Sequence, residues 1–207
     1  NDANRTLVVY GAGGDPLLVQ WCNQEDYATW TPAADNTAGS IRCESGSEIV
    51  GRIQCRGGHL ISTDASVYTF SYIGLPFVFR LDIQAQGSAM IGPHCGVQQD
   101  NITYWMGKDG FYQYDGSVLP LPCDVHAYVF GRLNTVQAHK VFAGTIRAYN
   151  EVIWFYCSTS STEVDSCVAY STLEKTGWTG DLGRTSWLDS NVAVPYPLGV
   201  DTSKIVH

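Results

Sequence analysis

Apolar and polar residues alternate in short runs along nearly the whole chain, and Gly, Asp, Asn or Pro breaks each run after a few residues. A two-residue period sends successive side chains to opposite faces of a strand, so the pattern predicts β-strands joined by tight turns. Strands are expected at Leu7–Tyr10, Leu17–Trp21, His59–Ser62, Val67–Tyr72, Ile102–Met106, Gly110–Tyr114, Val152–Tyr156 and Cys167–Tyr170. Amphipathic helical spacing is nearly absent. Its best candidate, Val125–Asn134, is weak because Val, Tyr and Phe favour strands and Gly131 interrupts it, so little helix is expected anywhere.

The runs recur. Val67-Tyr68-Thr69-Phe70, Phe111-Tyr112-Gln113-Tyr114 and Cys167-Val168-Ala169-Tyr170 each close a short alternating strand on an aromatic, and Val19-Gln20-Trp21 fits the same slot. The closing aromatics Trp21, Phe70, Tyr114 and Tyr170 follow one another at intervals of about 45–55 residues. Another strand lies upstream of three of them, at Gly58–Ser62, Ile102–Met106 and Val152–Tyr156, and two units end on a tryptophan, Trp30 and Trp178. The longest interval holds a polar insert, Ser158–Glu163, expected as an extended hairpin tip. One blade of a β-propeller has this length and content. A four-stranded sheet cannot bury both faces alone, so blades stack and aromatics fill the wedges between them. The expected fold is all-β: a β-propeller-like repeat of antiparallel blades over residues 1–207, about four units, or an incomplete segment of a larger propeller. A β-sandwich is the competing architecture.

Composition narrows the function. Only 15% of the residues are charged while 12% are aromatic, which suits a surface that meets other protein. The net charge of −8 and the lack of any Lys/Arg run argue against a dedicated nucleic-acid binder. An acidic wall that lets DNA slide past remains compatible with them. The seven cysteines are odd in number and show no Cys-x-x-Cys, so they are read mostly as reduced thiols packed as small hydrophobes, with a few disulfides as the alternative. No run approaches the length of a membrane-spanning helix, and residues 1–20 lack the pattern of a secretory signal. The sequons at Asn4 and Asn101 are of a kind that arises by chance. The first residue is Asn, and Ile205-Val206-His207 reads as a strand cut short, so the chain is expected to be a piece of something longer.

No catalytic, cofactor or metal residue emerges. Gly11-Ala12-Gly13-Gly14 invites a phosphate-loop reading, but Pro16 stands at the third glycine position and a strand follows where a helix should begin. The histidines 59, 94, 126, 139 and 207 lack metal-ligand spacing. Asp109-Gly110 and Asp115-Gly116 bracket a strand as two tight turns rather than a calcium loop. No Gly-x-Ser-x-Gly elbow is present, and nothing selects a glycosidase pair from Asp64, Asp100, Glu151 and Asp165. The chain is read as a non-enzyme.

Three segments resemble stretches of tail proteins from tailed bacteriophages: Tyr104–Pro122, Asn150–Tyr156 with Ser160–Asp165, and Trp178–Trp187. Gly131-Arg132-Leu133 and Cys157-Ser158 depart from that pattern. The resemblance implies a nozzle or hub-type structural protein of a short tail, built around a β-propeller and part of the virion, assembled in the host cytoplasm. Its implied partners are copies of itself in a ring, neighbouring adaptor, fibre or needle proteins, the host surface, and DNA ejected through the lumen without sequence-specific binding. The lumen is expected to be neutral or acidic; scattered arginines at 42, 52, 56 and 80 are the alternative lining. The competing reading is a receptor- or glycan-binding propeller on the virion, for which Trp105 or Trp187 could serve as the stacking platform.

Overall fold

The computed structural model describes residues 5–207, so the sequon asparagine Asn4 lies outside the described residues. Strands make up 46% and helices 9% of the chain, so the all-β expectation holds. Two compact units are present, Asn1–Ala89 and Met90–His207.

The first unit opens with β1 (Val8–Tyr10), β2 (Leu18–Trp21) and β3 (Gly39–Arg42), an antiparallel sheet in chain order. The glycine-rich segment after β1 is a short 3₁₀ turn that returns the chain to pair with β1. Next come β4 (Ile49–Cys55), β5 (Gly58–Thr63), β6 (Ser66–Gly74) and β7 (Val78–Gln86), a four-stranded meander. Trp21 packs at 5.1 Å from Phe79 and 5.9 Å from Phe70, whose ring stacks on Phe79 at 4.6 Å. Leu17, Val19 and Ile61 complete this core between the two sheets.

The second unit repeats the meander twice. Strands β8 (Gly96–Gln99), β9 (Ile102–Met106), β10 (Phe111–Tyr114) and β11 (Val118–Pro120) form one sheet. After α1 (His126–Arg132), strands β12 (Phe142–Ile146), β13 (Glu151–Tyr156), β14 (Ser166–Ser171) and β15 (Gly177–Gly180) form the next. A two-stranded ribbon, β16 (Ser186–Leu188) and β17 (Leu198–Val200), follows. Val152 to Tyr156 in β13 are all buried, which requires cover on both faces. Trp154 supplies one face, 4.8 Å from Phe111 of the preceding sheet; Phe155 supplies the other, 5.4 Å from Trp187 of the ribbon. The first strands of these sheets are neighbours: His94, just before β8, bridges Phe142 of β12, and Gly144 of β12 lies under the Trp187 ring of β16.

Trp105 and Trp154 hold the same place, each in the second strand of its sheet and fully buried. Met106 pairs with Phe111, which faces the following sheet, so Trp105 points the other way and stacks on its partner Tyr112 at 5.7 Å. Trp154 likewise faces away from the ribbon that follows its sheet.

All eight expected strands are present with ends shifted by at most two residues. Four expectations need correction. Val125–Asn134 does contain a helix, α1, held by one-turn pairs: His126 stacks on Phe130 at 4.6 Å and Arg132 lies 5.0 Å over Tyr128. These contacts, with buried Val129, outweigh the strand preference of the same residues. Trp178 closes its unit in the fourth strand, but Trp30 sits in the loop between β2 and β3, where its Nε1 donates to the Tyr27 carbonyl at 2.7 Å. Trp21 lies in the second of three strands, whereas Phe70, Tyr114 and Tyr170 lie in the third of four. Of the expected terminal strand, only Val206 forms a bridge, to Val200.

Candidate functional site

Three of the four carboxylates considered for paired chemistry are held by local hydrogen bonds. Asp64 accepts from the Ser47 hydroxyl and N–H, both at 2.7 Å, and these bonds hold its carboxyl below the usual range. Asp165 caps the Ser158–Glu163 tip by accepting from Ser158 Oγ at 2.6 Å, and Glu151 accepts from Trp178 Nε1 at 2.9 Å. Asp100 sits with Asn101 in the turn between β8 and β9, both at positive φ. Among the described residues, no three His, Cys, Asp or Glu side chains converge as metal ligands.

The histidines serve local contacts: His59 meets Arg52, His126 bonds the Asp109 carbonyl, and His207 meets Asp201. The Asp109-Gly110 turn joins β9 to β10 as expected. There Tyr112 donates to Asp109 at 2.8 Å, and burial together with that bond pushes the phenol up to about 12. Six of the seven thiols are buried as small hydrophobes and Cys123 is half-buried; all are free.

Neither tryptophan considered as a glycan platform presents an exposed ring face: one is buried and the other half-buried. Trp105 is enclosed, and Trp187 is half-buried against Phe155 with its Nε1 donating to the Thr145 carbonyl.

The most distinctive surface is instead the end of the β6–β7 hairpin. Tyr72, Ile73, Leu75 and Phe77 are all exposed there, Leu75 and Phe77 by 74% and 73%. Beside it, a groove of about 450 Å³ runs between this tip and the loop before β3, walled by Trp21, Pro32, Asn36, Pro76, Phe77 and Phe79. The tip is anchored rather than loose. Val78 adopts φ 61, costly for a β-branched residue, and the Phe79 N–H bonds the Phe77 carbonyl at 2.7 Å. That reversal sends Phe79 into the Trp21–Phe70 core and Phe77 outward. The signal was present in the sequence: Tyr72-Ile73-Gly74-Leu75-Pro76-Phe77 is an apolar turn where hairpin turns are ordinarily polar.

No family model and no curated protein matches this chain.

Proposed function

We propose that the chain is a non-enzymatic structural component of a bacteriophage tail, a nozzle or hub ring around the channel through which DNA leaves. The observation that carries this reading is the recurrent meander: three four-stranded sheets of consecutive strands, with aromatics filling the space between successive sheets in the second unit. Neighbouring first strands β8, β12 and β16 are what inner strands of adjacent propeller blades would be. The blade assignment, its closure into a ring and the tail role are all parts of the proposal. The viral assignment is supported by the three segments that resemble tail proteins, and the acidic balance suits a wall that DNA passes without adhering. Of the arginines considered for a basic lumen, Arg42 is paired with Asp15 at 2.6 Å, and the other three gather at the β6–β7 end of one sheet.

An image of an intact tail with this chain placed in density tests the reading. The expected result is a ring of copies, a neutral or acidic inner wall, and contacts each burying more than about 1,000 Å². A lone copy far from the DNA axis, or one holding host glycan in an aromatic pocket, would replace the ring with the receptor-binding reading.

A further inference from the structure

We infer that the β6–β7 hairpin tip is a membrane-insertion element that seats in an anionic lipid surface. This goes beyond the tail assignment and stands on the hairpin alone.

Two features of the tip coincide. The first is its apolar end, which is long and projects. Cys55, Gly58, Ser71 and Arg80 form one row across β4 to β7, and the β4–β5 turn ends there at Arg56-Gly57. Within this sheet only β6 and β7 continue, for four residues from Ser71 to Leu75, so the tip reaches up to about 13 Å past the ends of β4 and β5 at ~3.3 Å per residue, with the loop before β3 flanking its Pro76–Phe77 side. No charged residue lies between Ser71 and Phe79. That reach matches the about 5–10 Å to which interfacial elements bury apolar side chains below the headgroups.

The second feature is charge. From the row Arg52–Ile61–Tyr68–Ile83 out to the tip, the sheet carries three arginines, at 52, 56 and 80, against one acid, Asp82. Three positive charges minus one negative leave +2 on this end of the sheet, and +1 once Asp35 of the flanking loop is counted, in a chain whose total is −8. The arginines form a collar below the apolar tip: Arg52 on one face, Arg80 on the other, Arg56 at the turn, all exposed. Among the described residues, Arg80 of these three has a carboxylate partner, Asp82 at 2.5 Å. An apolar protein pocket would explain the tip but gains nothing from the collar. Anionic headgroups above a hydrocarbon phase match both, at the depths where each occurs.

The anchoring makes insertion efficient. Phe79, stacked in the core, fixes the reversal at Val78, so Leu75 and Phe77 face outward before any contact and little ordering remains to be done on binding.

The test is co-sedimentation of the full chain with vesicles of equimolar phosphatidylglycerol and phosphatidylcholine, and with phosphatidylcholine alone. Binding is expected to the anionic vesicles and to weaken as salt rises. Leu75→Ser with Phe77→Ser should weaken it roughly tenfold or more, since two insertable apolar side chains are lost. Arg52→Glu with Arg56→Glu should weaken it and remove the salt dependence. Val192→Ser, a still more exposed apolar position elsewhere, should leave it unchanged. Circular dichroism keeps the variants interpretable, because every altered side chain is exposed. As a direct probe, Phe77→Trp should add a fluorescence component that brominated lipid quenches. Failure to bind anionic vesicles, binding indifferent to the tip variants, or a tip that instead mediates self-association of the chain would overturn the proposal.

Discussion

The indole Nε1 of Trp154, in β13, donates to the carbonyl of Cys95, beside β8, at 2.9 Å across the space between two sheets. Both residues are fully buried, so the bond sits where water cannot replace it. One side chain thus fills the wedge and ties the two sheets together. Trp154→Ala should cost about 3–5 kcal/mol in denaturant unfolding, as other large-to-small core changes do. Trp154→Phe keeps much of the volume and removes only the indole bond, because the Cys95 carbonyl still accepts from the Met106 N–H at 3.1 Å, and should cost less, about 1–2 kcal/mol. An alanine variant with unchanged stability would contradict the stacked arrangement.

Two glycines should respond with opposite signs. A Cβ on Gly144 would overlap the Trp187 ring, so Gly144→Ala should destabilise by about 1–3 kcal/mol. Gly131 lies inside α1 with open space around it, and Gly131→Ala should stabilise by about 0.5–1 kcal/mol. Thermal melts of the two variants check the pair; equal shifts would be the contrary result.

Gln99 is the cost left in the second unit. Its side chain is buried at the end of β8 and neither amide atom finds a partner. Gln99→Met removes both unsatisfied groups at similar volume and should leave stability unchanged or raise it. A loss of more than about 1 kcal/mol would mean that the amide is satisfied in solution, for instance by a bound water.

Thiol reactivity should follow burial. Burial pushes the Cys43, Cys55 and Cys95 thiols up to about 11, so at pH 8 only about one in a thousand is the reactive thiolate. Alkylation of the native chain should reach half-buried Cys123 first and the other six only after unfolding. Without reductant, the unfolded chain should then label at all seven positions. Mass spectrometry that maps three disulfides would overturn the reading of reduced thiols.

Acid should weaken the fold through surface carboxylates. Hydrogen bonds from Arg42 and the Leu17 N–H lower Asp15, those from Ser47 lower Asp64, and His207 lowers Asp201. A folded-state pKa below the unfolded one, near 3.8, means that the contribution is present above that value and lost as pH falls through it. Denaturation midpoints should therefore hold level from about pH 7 to 5 and drop below about pH 4. Asp64→Asn should flatten that drop, and an unaltered acid limb would refute the assignment.

Strand positions were legible because their cause is local. A two-residue period, β-branched and aromatic content, and Gly or Asp at the breaks are properties of neighbours in sequence, and the eight strands followed from them. The repeat was legible for the same reason, since Phe70, Tyr114 and Tyr170 mark equivalent strands. The helix at His126–Arg132 was not, because its one-turn ring contacts compete with residue types that favour strands. The packing partners escaped too. Nothing in the order of residues says that Trp154 bonds a carbonyl 59 positions earlier or that Gly144 lies under Trp187. Nor does it say that a bent backbone at Val78 turns Phe77 outward and Phe79 inward. Periodicity within a strand is written by residues two apart. Which faces meet, and which apolar side chains are left without cover, is decided only when sheets distant in the chain compete for the same contacts.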